Sequence, residues 1–240
     1  MRSTCCCMKA SLSILPVTGS MRSKIRGDLG QTIVYSKAKL LRVGAMELQL
    51  QCQCGQVRAR LSHMQPKTVN RAVCYCRFCQ SYLRFLGQEA AFADTQGGTD
   101  VFQMSPRDVT FESGFELIRA VKQTEKGAAR YYAGCCNTPL FNGVQNLKVP
   151  FLGVFTGSIQ GFDEPRNADD AIGPVRARVN KQTDEQWAQP NADRMSVLRM
   201  LLHVARLMLF WFVRGDAKHS PLCADNGQPR LSVERIRVKT

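Results

Sequence analysis

Met46-Glu47-Leu48-Gln49-Leu50-Gln51-Cys52-Gln53-Cys54-Gly55 is the stretch on which the reading of the fold turns. Leu48, Leu50, Cys52 and Cys54 alternate with glutamine, and a period of two marks a half-buried strand. Gly55 breaks the run and Val57-Arg58-Ala59-Arg60-Leu61 resumes it, so the segment predicts a β-hairpin. Side chains two apart in a strand point the same way, so the Cys52 and Cys54 thiols can meet one ion.

Outward from this hairpin, short apolar segments with β character recur at 101–104, 109–111, 117–121 and 151–155, separated by Gly97-Gly98, Ser105-Pro106 and Ser113-Gly114. Residues 46–162 therefore read as one mostly β domain, with a short helix expected from Gln80 to Glu89. Residues 1–45 hold eight Lys/Arg and the single acid Asp28. They read as a basic extension, disordered or a mispredicted start upstream of Met46, with a targeting segment as the alternative. Residues 163–240 read as a polar connection broken by Pro165, Pro174 and Pro190, then an amphipathic helix from Met195 to Val213, then an irregular tail from 216. On the helix, Ser196, Arg199, His203 and Arg206 form a narrow polar stripe, and apolar side chains fill the remainder. Such a helix is expected to be mostly buried against the β domain or a second subunit, which makes a homodimer possible; in-plane membrane contact is the alternative.

Composition narrows the classes further. With 44% hydrophobic and 22% charged residues in 240, the chain is globular and not disordered. Its net charge of +14 sits mainly at the two ends, with +7 in residues 1–45, +2 in 46–165 and +5 in 166–240. A nearly neutral middle is not a dedicated nucleic-acid module, so no specific nucleic-acid partner is expected. The longest run free of charge and histidine in the most apolar stretch is the seven residues from Leu207 to Val213, so no transmembrane segment is expected.

Eleven cysteines are many for this length. Cys5-Cys6-Cys7 and Cys223 have no partner spacing, whereas the others fall at 52, 54, 74, 76, 79, 135 and 136. Reduced thiols that bind metal in a cytoplasmic protein explain them better than a disulfide scaffold. Cys52 and Cys54 need two further ligands, which Cys135 and Cys136 supply, giving a closed Cys₄ zinc site of structural type; buried thiols without metal are the alternative. Cys136 is the safer ligand of the adjacent pair, since neighbouring cysteines chelate one ion only through a strained ring. Cys74-Tyr75-Cys76-Arg77-Phe78-Cys79 places three more thiolates in one loop. Three protein ligands leave a fourth zinc position open, as in catalytic zinc, with Arg77 or backbone N–H groups expected to offset the negative charge. A second structural site completed by His63 is the alternative. His203 and His219 suggest no chemistry, and Asp100 reads as a turn residue.

The order of these motifs resembles the glutathione-dependent formaldehyde-activating enzyme family, which includes centromere protein V. The residues that carry the resemblance are Cys52, Cys54 and Gly55, then Cys74, Cys76 and Cys79, then Arg130, Cys136, Thr138, Pro139 and Leu140. In the last motif Ala133 stands at the family's first cysteine and Asn137 at its glycine, and Cys135 is expected to compensate. The resemblance covers residues 46–157 and implies a zinc-binding β-tent fold, with a structural zinc on the outer cysteine pairs and a catalytic zinc on Cys74, Cys76 and Cys79. It also implies carbon–sulfur lyase chemistry on a small thiol adduct such as S-hydroxymethylglutathione; the alternative is a non-catalytic zinc-binding module of the same fold.

Overall fold

The computed structural model describes residues 46–144, 146, 148–162, 165–179, 194–224, 226 and 228–236. The basic extension and its Cys5-Cys6-Cys7 run lie outside the described residues, as does 180–193 of the expected polar connection. The described part is mostly β.

The opening hairpin forms as its alternation predicts. β1 (Met46–Gln51) pairs antiparallel with β2 (Arg58–Met64), and β5 (Val109–Ser113) adds a third strand on the other side of β2. Leu48, Leu50, Ala59 and Leu61 face inward while the charged residues Glu47, Arg58 and Arg60 are exposed. The larger sheet is built from β3 (Asn70–Cys74), β4 (Thr99–Met104), β6 (Ile118–Lys122), β7 (Ala129–Ala133), β8 (Thr138–Gly143) and β9 (Leu152–Phe155). Two short strands, β10 (Ala177–Val179) and β11 (Val233–Arg235), add to its edges in parallel, giving the order β10-β3-β4-β9-β8-β7-β6-β11.

Side-chain alternation sorts the core into layers. One face of the large sheet, with Phe102, Ile118, Phe141 and Val154, packs into the same cluster as Leu50 and Leu61 of the small sheet. The opposite face, with Val101, Val121 and Phe155, is covered by Tyr82, Leu83 and Leu86 of α1 (Arg77–Leu86) and by Phe92 of α2 (Glu89–Phe92). The helix expected at 80–89 is thus two helices separated by Gly87, whose φ of +67° ends α1 in the left-handed conformation.

The C-terminal part departs from expectation in its connection, its tail and the burial of its helix. The stretch read as a polar connection contains α3 (Pro165–Ile172) and β10, and the stretch read as an irregular tail contains β11, so the sheet draws on residues both before and after 162. In α4 (Arg194–Val213) the expected burial is met on one side alone: Val197, Met200, Val204, Leu207 and Trp211 face the β domain and Arg199 and Arg206 are exposed, but much of the remaining apolar surface is exposed as well. His203, on the expected polar stripe, lies with its Nε2 3.0 Å from the Val69 carbonyl oxygen, whereas Leu202, Leu209 and Phe212 are more than 60% exposed. No transmembrane segment was expected, and the structure holds one helix that meets the length and composition of one without showing that it spans. Residues Met195–Val213 have a mean hydropathy of 1.6, long and apolar enough to cross a membrane by length and composition alone, because two arginines do not cancel so many leucines.

Asp100 is a structural residue. Its carboxylate takes three hydrogen bonds from the Arg71 guanidinium at 2.6–3.1 Å, and Arg71 also reaches Asp169 of α3 at 2.6 Å. Arg71 is buried on β3, so this pairing is what permits a charge inside the sheet. Replacing Arg71 with Met is expected to lower stability by about 2 kcal/mol in a denaturant titration, since two carboxylates lose their donor. An unchanged midpoint would show that the carboxylates are satisfied by water.

Candidate metal centres

The first cluster forms where two turns meet. After β1 the chain turns through Gly55 at φ +77°, and the Gly55 N–H donates to the Cys52 carbonyl at 2.9 Å, which brings Cys52 and Cys54 to the same side. After β7 it turns through Gly134-Cys135-Cys136-Asn137, with the Asn137 N–H donating to the Ala133 carbonyl at 2.8 Å. Sγ–Sγ distances are 3.5 Å for Cys52–Cys54, 3.9 Å for Cys52–Cys135, 3.3 Å for Cys54–Cys135 and 3.9 Å for Cys135–Cys136. All four sulfurs lie within 4.8 Å of one another. A regular tetrahedron with metal–sulfur bonds of about 2.3 Å has edges of about 3.8 Å, so the set fits a tetrahedral ion. Cys135 belongs to the group as fully as Cys136.

Thr138 locks the two turns together. Its hydroxyl accepts from the Gln53 N–H at 2.9 Å and lies 3.1 Å from Cys136 Sγ. Burial opposes ionisation of Cys136, but hydrogen bonds from Thr138 and from the Cys54 N–H outweigh it and bring the thiol down to about 6. Burial pushes Cys52 and Cys135 up.

The second cluster is Cys74 at the end of β3, Cys76 as the N-cap of α1 and Cys79 in its first turn, again with all sulfurs within 4.8 Å. The Cys79 N–H donates to Cys76 Sγ at 3.4 Å, and the helix N-terminus favours negative charge at that sulfur. Hydrogen bonds from Cys74 and Cys79 hold Cys76 down to about 2 against its burial, while the same bonds push Cys79 well up. A divalent ion would take up all three as thiolates and release their protons.

Arg130 on β7 is the counter-charge. Its guanidinium nitrogens lie 3.8 and 3.9 Å from Cys79 Sγ, and its plane sits over the Tyr82 ring at 5.0 Å. The expectation for Arg77 is corrected accordingly: it is exposed and stacks on Phe78 at 5.1 Å. In the sequence Arg130 was a motif position without a role, because its contact with Cys79 spans 51 residues. The loop itself is braced by Tyr75, whose hydroxyl donates to Asp94 at 2.8 Å and accepts from Arg178 at 2.6 Å. Gly98 packs flat against that ring, where a Cβ would clash with it.

α1 connects the two centres. Its N-terminus holds Cys76, and beyond its other end Gln88 exchanges amide hydrogen bonds with Gln53 at 3.0 Å and donates to the Cys136 carbonyl. Ten residues of helix span about 15 Å between these two attachments. His63 joins neither; its Nδ1 lies 3.1 Å from Asp108 Oδ1. Among the described residues no cysteine is in a disulfide.

Asn137 has φ +57°, the left-handed region that glycine occupies freely and asparagine enters more readily than other side chains. That explains why asparagine is accepted between Cys136 and Thr138. Asn137→Gly is expected to leave stability unchanged and Asn137→Val to lower it by about 1–2 kcal/mol in chemical denaturation. Equal stability of the two variants would show that this turn does not depend on the left-handed residue.

Comparison with known proteins places the chain as follows. No curated protein matches it. The crystal structure of a Rhodobacter sphaeroides protein, a structural-genomics target, shares 18% identity over 54% of this chain and 97% of its own, with a TM-score of 0.37. A likeness at that level bears on neither fold nor activity. A family model matches residues 45–234, a span that includes both cysteine clusters, and the chain therefore belongs to DUF6151, a family of unknown function.

Proposed function

We propose that the protein is a zinc enzyme that makes or breaks a carbon–sulfur bond in a thiol adduct such as S-hydroxymethylglutathione, on a β-tent-like domain of the formaldehyde-activating type. The observation that carries this reading is the contrast between the clusters. Cys52, Cys54, Cys135 and Cys136 offer four sulfurs, enough to close a zinc site, whereas Cys74, Cys76 and Cys79 offer three beside a buried arginine. Zinc on three thiolates supplies one open position that favours a substrate thiol in its thiolate form.

The chain's own residues do the remainder. Arg130 offsets the negative charge of three thiolates, and the Cys79 N–H orients Cys76. Forming the adduct joins the thiolate sulfur to the aldehyde carbon while the carbonyl oxygen takes a proton; the reverse step returns the thiol and the aldehyde. A cavity of about 400 Å³ is lined by residues of α1, α2 and the turn after them, among them Gln80, Arg84, Glu89 and Asp94 but no cysteine. A protein that works with free thiols and thiol adducts belongs in the reducing cytoplasm.

Protein purified without added metal is expected to carry one zinc in each cluster and to cleave S-hydroxymethylglutathione. Cys76→Ala should keep the zinc of the four-cysteine cluster and its thermal transition while activity falls by orders of magnitude. Cys54→Ser should lose the thermal transition. If the protein with both clusters loaded has no activity on thiol adducts, the non-catalytic reading stands; if Cys76→Ala is fully active, the activity does not reside in the three-cysteine cluster and the mechanism proposed for it fails.

A further inference from the structure

The exposed side of α4 has no role in the metal centres or in the cavity beside them. The helix docks on β3 and β10 through Val197, Met200 and Val204, and Leu207 and Trp211 continue the buried stripe at three- and four-residue spacing. The other side carries a second, larger apolar face. Leu198, Leu201, Leu202, Leu209, Phe212 and Val213 are between 49% and 78% exposed, and only 17% of the helix's most apolar window is buried. A face of this size on a helix of about 30 Å is too large to be incidental.

Charge says what suits it. Arg199 and Arg206, seven residues apart and both exposed, lie along one seam between the apolar face and the docked stripe. The sequence has no acidic residue from 194 to 215, and the chain as a whole is +14. A second copy of the helix would bring apolar side chains but also two more arginines with no carboxylate on either helix to meet them. The basic segment 1–45, at +7, meets the same objection. A helix that crossed the bilayer would have to give up the Met200, Leu207 and Trp211 packing and the His203 contact with Val69. An anionic phospholipid surface has both properties the face requires: acyl chains for the leucines and phosphates for the arginines.

We propose that α4 binds flat on an anionic membrane surface, with its exposed leucines among the acyl chains, Arg199 and Arg206 at the phosphates, and the β domain held on the aqueous side. The proposal does not depend on the enzymatic reading, since none of these residues touches a cysteine cluster.

The test uses the full chain in flotation with vesicles of phosphatidylcholine alone and of phosphatidylcholine with about a third phosphatidylglycerol. The wild type should float with the anionic vesicles. Leu202→Glu combined with Leu209→Glu should weaken binding at least about tenfold, with no change in the thermal transition because both side chains are exposed. Arg199→Gln combined with Arg206→Gln should remove the preference for anionic over neutral vesicles and leave weak binding to both. A wild-type chain that floats with neither vesicle overturns the proposal. So does a dimer in vesicle-free solution that the two glutamates dissolve, which makes a second copy the occupant. Resistance to alkaline carbonate extraction also overturns it, in favour of a spanning helix.

Discussion

Four sulfur atoms from two turns some 83 residues apart come within 4.8 Å of one another, and much of the structure can be read from that meeting. One turn follows β1 in the small sheet and the other follows β7 in the large sheet, so the cluster ties the two layers at one end. Bare thiolates that close would repel, and hydrogen bonds favour the charge on Cys136 while burial opposes it on Cys52 and Cys135. A divalent ion removes the conflict by replacing the thiol protons, which couples metal binding to the docking of the two sheets. Thr138 and Gln88 then extend the same junction outward, one into β8 and the other to the end of α1.

The second cluster depends on the first through that helix and through β7. β7 carries Arg130 to Cys79 near one end and delivers Cys135 and Cys136 from the other, and α1 spans the same interval. A shift of either element moves a ligand of one centre and a neighbour of the other. Two clusters sharing two rigid elements give a simple way to hold three cysteines, an arginine and a helix N-terminus in fixed relation.

How much of this was legible in the sequence follows from how local each signal is. The β1–β2 hairpin was legible because Leu48, Leu50, Cys52 and Cys54 alternate without exception, and all seven clustered cysteines were legible from spacing. β10 and β11 were not, since three-residue strands that add in parallel to a finished sheet carry no period of their own. β3 was hidden because Arg71 looks like a surface residue until Asp100 and Asp169 pair with it. Arg130 showed as a motif residue but not as the partner of Cys79, a contact that only the tertiary fold makes. The helix α4 runs from 194 to 213, close to the expected 195–213, but its burial was overestimated: an apolar surface this wide does not say from sequence how much of it a neighbour covers. Exposed leucines on a docked helix reverse the usual rule, and the reversal is itself the sign of a surface that is not plain solvent.

The central claim is that the seven cysteines are metal ligands grouped four and three. Zinc X-ray absorption on the full chain, purified without added metal and with the metal-to-protein ratio measured on the same sample, tests it most directly. The account predicts one zinc per cluster, a sulfur shell at about 2.3 Å averaging between three and four sulfurs per ion, and a minor light-atom contribution from the three-cysteine site. Protein that is folded but free of metal, with all seven thiols reacting stoichiometrically with a thiol reagent, would contradict it.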